Sequence, residues 1–149
     1  MGADLFISEL FDAQVATWQG LFNEAIAERD KAKHDSEEYC KLQRRVWRYF
    51  RLMWSEGYFR DTYDDSSLLR KFQLSWSIDI APRLDSDDCL SVEKTKEFLV
   101  ELERLEDIFN HSLVDMTARE RRYFRRKYQR LSGFLNQAVS LNLPIVCSL

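Results

Sequence analysis

Residues 117–138, TARERRYFRRKYQRLSGFLNQA, read as a helix from one end to the other. Thr117 and Glu120 stand three apart, the spacing of a capping box in which each side chain accepts from the other's backbone N–H. Phe124, Tyr128, Leu131, Leu135 and Ala138 then recur every three or four residues, the apolar face of a 3.6-residue period. The same stretch places seven basic residues and one acid between positions 119 and 130.

Working outward, four other segments carry the same period. From Ser8 to Lys33 the spine is Phe11, Val15, Trp18, Phe22 and Ala25. Ser36, followed by Glu37 and Glu38, starts a second helix with acids at the positive end of its dipole. Tyr39, Leu42, Val46, Tyr49, Phe50 and Met53 form its stripe, and Gly57 is expected at C′, past its end. Trp47 and Trp54 lie towards a second side, which predicts cover on two faces. Asp65 or Ser66 is expected to cap a third helix through Leu68, Leu69, Phe72 and Trp76, with Pro82 as its stop. Ser91 caps a fourth, whose spine is Thr95, Phe98, Leu102, Leu105 and Phe109. The terminal segments ADLFI (3–7) and IVCSL (145–149) are strand-like and could pair. With four glycines and two prolines in 149 residues, the expected fold is all-α. It is a single domain over 1–149, a bundle of about five helices with a small two-stranded pairing of the termini.

Composition narrows the class. The 45% hydrophobic and 32% charged content is that of a soluble globular protein. No apolar run approaches about 20 residues, so no membrane span is expected. Asp4 and Glu9 near the start argue against a secretory or mitochondrial leader. Cys40, Cys89 and Cys147 are odd in number and form no CxxC, and only His34 and His111 could add imidazole. No structural zinc set is expected, and reduced thiols in a cytoplasmic protein are the simplest reading. His34 reads as solvated, His111 as structural, and Cys147, beside Ile145 and Val146, as buried. No metal, cofactor or phosphate-binding glycine loop is indicated.

The opening MGADL, the central YFRDTYDDSSLL with LSW after it, the late YFRRKYQRLSGFL and the closing CSL together resemble a group of small bacterial proteins. The resemblance covers both termini and about half of the positions between. It implies a bacterial cytoplasmic protein and carries over no activity. Several members of the group have asparagine at the position of Asp64 or Asp65, so no role needing both carboxylates transfers.

The candidate site is GYFRDTYDDSSLLRKFQLSW (57–76), which mixes aromatics with Arg60, Asp61, Asp64 and Asp65. Aromatics favour burial and charges resist it, so such a segment forms a pocket edge or a tight polar turn. Arg60, Asp61, Tyr63, Asp64, Asp65 and Trp76 are the candidate ligand-binding residues, with Arg60 fixing an anion. The structural alternative has Asp61 and Asp64 in Asx turns and Asp65 as a cap. It has Arg60 part-buried and bonded to Asp61, Asp64, Asp65 or Asp79. The acid spacing does not fit an EF-hand. Two basic runs, KLQRRVWRYFR (41–51) and RERRYFRRKYQR (119–130), interleave arginine with aromatics as a nucleic-acid helix would. Against that, the chain is −3 overall, and residues 1–40 and 91–113 carry net −6 and −3. The 119–130 helix is therefore expected to pair with acids of the first or fourth helix, and Trp47, Phe50, Phe124 and Tyr128 to be core. Nucleic acid is disfavoured on this reading. The leading function is a non-enzymatic module for a protein partner or self-association. A ligand-binding or catalytic pocket at 57–76 is the alternative, and nucleic-acid binding through 119–130 the second.

Overall fold

The computed structural model describes residues 3–149 and is mostly helical, with five helices and a small four-stranded antiparallel sheet. The chain divides into two compact units, one of residues 8–58 and one built from the N-terminal strand and residues 59–149.

The first unit is a helix hairpin of α1 (Ser8–Lys31) and α2 (Glu37–Met53). Asp35, at φ 61°, reverses the chain, and the Ser36 hydroxyl accepts from Tyr39 N–H at 3.1 Å. The seam is aromatic, with ring centroids 5.1 Å apart for Phe11–Trp54, 6.1 Å for Trp18–Tyr49 and 6.2 Å for Phe22–Phe50. Nearer the turn, Ala25 and Val46 are buried and Arg45 reaches Glu28 at 2.8 Å. From Phe11–Trp54 at one end to Glu28–Arg45 near the turn the partners run in opposite sequence directions, as in an antiparallel hairpin. Trp54 joins the seam, but Trp47 is 53% exposed and Phe50 38% exposed, so the expected second covered face and the core placement of both are corrected. α2 also ends earlier than expected. It is capped at Trp54, and Gly57, at φ 67°, is a separate turn into the next strand.

The second unit contains the sheet, α3 (Leu68–Trp76), α4 (Val92–Ser112) and α5 (Ala118–Leu141). The strands are β1 (Asp4–Phe6), β2 (Tyr58–Arg60), β3 (Cys89–Leu90) and β4 (Ile145–Ser148), in the order β2-β1-β4-β3. The terminal strands pair antiparallel as the sequence suggests, with Leu5 opposite Cys147, and β3 adds on the other side of β4, with Leu90 opposite Ile145. Leu5, Phe59, Leu90, Ile145 and Cys147 are buried, the inward set of period-two strands. Above them α4 and α5 pack along their leucine and phenylalanine spines. Phe109 stacks on Tyr128 at 4.8 Å, Phe72 meets Phe109 edge-on at 5.8 Å, and Trp76 lies 6.1 Å from Phe109. Ser91 caps α4, and Thr117 and Glu120 form the full capping box of α5. The cap of α3 is Ser67 rather than Asp65 or Ser66. The helix ends at Ser77, at φ 56°, before Pro82, which lies in a 3-10 turn over Ala81–Arg83. Among the described residues no helix is long and apolar enough to cross a membrane.

Candidate functional site

β2 decides which charges of the central loop go inward. Along an extended strand alternate residues share a face, so Phe59 and Asp61 are buried while Arg60 between them is exposed. Asp61 is 0% exposed and its carboxylate collects five donors. Leu68 N–H reaches Oδ1 at 3.0 Å, Leu69 N–H reaches Oδ2 at 2.8 Å, Ser67 hydroxyl reaches Oδ2 at 2.7 Å and Thr62 N–H reaches Oδ1 at 3.0 Å. The fifth is the Lys127 ammonium of α5, 2.6 Å from Oδ1. A buried carboxylate is costly unless paired and fully hydrogen-bonded. Here the first turn of α3 supplies orphan N–H groups and the positive end of a dipole, and Lys127 supplies the countercharge.

Lys127 also donates to Tyr123 Oη at 2.7 Å, and Tyr123 donates to the Ser66 carbonyl at 3.2 Å. Partial burial pushes the Tyr123 phenol up, but the Lys127 and Ser66 hydrogen bonds and the Lys127 charge outweigh it and leave it below its ordinary value. The node Asp61–Lys127–Tyr123–Ser66 therefore ties β2, the cap of α3 and α5 together.

The other loop candidates do not converge. Arg60 is bonded to none of Asp61, Asp64, Asp65 or Asp79. Its side chain is 64% exposed and its nearest carboxylate is Asp4 at 3.8 Å. Asp64 accepts from Ser66 N–H at 2.9 Å and from the Ser66 hydroxyl, an Asx turn whose hydrogen bonds lower its pKa. Asp65 pairs with Arg70 at 3.2 Å, Tyr63 is exposed, and Trp76 packs on Phe109. Of the six residues singled out in the loop, only Asp61 joins the node. Among the described residues no three His, Cys, Asp or Glu side chains gather as a metal site would need.

The outer face of α5 has a different character. Arg119, Arg122, Arg126 and Arg130 follow spacings of three, four and four, one stripe of the helix, and all four are exposed. With Tyr123 and Lys127 they line an open groove of 410 Å³. Among the described residues, the ion pairs of this unit join Asp4 to Arg60, Asp65 to Arg70, Arg83 to Glu101, Lys94 to Glu97 and Asp61 to Lys127. None involves the stripe. The expected pairing with the fourth helix is corrected: Glu101 of α4 goes instead to Arg83, at 3.0 and 2.6 Å. Arg125 shares a neighbouring groove with Glu106 and Asn110 and forms no ion pair there. Arg121 alone is absorbed, donating to the Val114 and Met116 carbonyls. Sequence reading missed the burial of Lys127. The signal was its place beside Tyr128 on the apolar stripe, the one lysine in a run of arginines.

No family model, no curated protein and no solved structure matches the chain.

Proposed function

We propose that the protein is a non-catalytic binding module that docks on nucleic acid through Arg119, Arg122, Arg126 and Arg130 of α5. The observation that carries the reading is that this stripe has no carboxylate partner within its unit. Like charges three or four apart on a helix cost about 0.2–0.5 kcal/mol per pair, and the stripe contains three such pairs without a structural return. An external polyanion supplies the missing countercharge. Arg119 to Arg130 spans about 16 Å of helix, long enough to follow several consecutive phosphates of one strand. Guanidinium groups, with planar forked donors, suit phosphate oxygens better than ammonium does. The sequence reading of a binding module is kept, with a phosphate backbone in place of a protein as the partner. The three free cysteines suit a reducing, cytoplasmic setting.

Fluorescence anisotropy with a labelled 20-nucleotide RNA in low salt tests this. Arg122→Gln/Arg126→Gln is expected to weaken binding about tenfold or more, with the unfolding midpoint unchanged or slightly raised because repulsion is relieved. Absence of binding by the wild type, or equal binding by the variant, contradicts the reading.

A further inference from the structure

The helix hairpin carries the second arginine–aromatic run, and there the aromatic lies outside. On α2, Arg44, Trp47, Arg48 and Arg51 occupy spacings of three, four and seven from Arg44, an arc of about 100° on one face. All four are exposed, Trp47 by 53%. Among the described residues, the arginine and lysine ion pairs of the hairpin join Arg29 to Asp30, Lys41 to Glu37 and Arg45 to Glu28. The three arginines beside Trp47 take part in none of them. Trp47 makes an edge contact with Phe50, centroids 5.7 Å apart at 87°, and leaves about half of its surface in solvent.

Resting on the nucleic-acid reading above, we infer that α2 is a contact for single strands. Trp47 stacks on an unpaired base while Arg44, Arg48 and Arg51 hold the flanking phosphates. Charge alone would accept duplex and single strand alike. An exposed indole ringed by unpaired guanidinium groups adds a π-surface that only an unstacked base can cover, and such stacking tolerates any sequence.

Two labelled probes of equal length, a (dT)12 strand and a 12-base-pair duplex, are titrated against the full chain at fixed low salt. Trp47→Leu keeps an apolar contact for Phe50. It is expected to lose at least about five-fold in affinity for the strand and to leave the duplex unaffected. Tryptophan emission quenched by (dT)12 in the wild type should largely persist unquenched in Trp47→Phe. Equal strand affinities for wild type and Trp47→Leu overturn the inference, as does a wild-type preference for duplex. If Arg122→Gln/Arg126→Gln abolishes binding while Trp47→Leu does not alter it, the α5 reading stands and this one falls. If strand binding survives the α5 substitutions yet still depends on Trp47, the reverse holds. No binding of either probe overturns both.

Discussion

Asp61 and Lys127 form the buried ion pair of the second unit. Asp61 is fully buried and Lys127 nearly so, so removing one partner strands the other. Lys127→Met is expected to cost about 3 kcal/mol, read as a lower urea midpoint with unchanged slope. A loss below about 1 kcal/mol would show that the α3 N–H groups alone support the carboxylate. Gly57, at φ 67°, holds a conformation in which a Cβ is strained, so Gly57→Ala should cost about 1 kcal/mol. That positive φ was legible in the sequence, although its expected place at the end of α2 was not. The loop chemistry was half legible. The segment 57–76 does hold the buried charge, but adjacency drew attention to Arg60, whereas strand alternation turns Asp61 inward and Arg60 out. The partner of Asp61 is a lysine far along the chain, and no local pattern announces a non-local pair.

Helix starts were the most readable elements because capping is local. Ser36, Ser91 and Thr117 each bond the N–H three residues on. Thr117→Ala should cost about 1 kcal/mol and loosen the turn that carries Arg119, seen as faster amide exchange at the start of α5. Strands β2 and β3, of three and two residues, show no period of their own, and the sheet adds them to the edges of the paired termini. In β4, burial drives the Cys147 thiol from an ordinary value of about 8.5 up to about 12. Its folded value lies above the unfolded one. Its contribution is therefore complete below about pH 8.5 and is lost as pH rises toward 12. Tyr128, pushed by burial to about 12, acts in the same sense from about pH 10 upward. Tyr123, shifted down, acts in the opposite sense, equally in wild type and in a Cys147 variant. Urea midpoints at pH 8, 9 and 10 should therefore fall more steeply for wild type than for Cys147→Ala. Parallel curves would contradict the assignment.

Charge is distributed over the molecule more unevenly than its sum suggests. Residues 119–130 carry net +6 in a chain of net −3. The overall charge argued for internal neutralisation, but ion pairs form between particular atoms. In the second unit the acids that form ion pairs go to Arg60, Arg70, Arg83, Lys94 and Lys127, Glu120 goes to the helix cap, and none goes to the stripe. Helical periodicity made the five helices legible, but which face of each would find a partner depended on packing, as exposed Trp47 and buried Phe124 show. The most direct test is the salt dependence of RNA binding. The four α5 contacts contribute about −3 to the slope of log Kobs against log salt, to which the α2 contacts add, and Arg122→Gln/Arg126→Gln should make it shallower by about 1.5. A wild-type slope shallower than about −1, or one the substitutions leave unchanged, would contradict binding through α5.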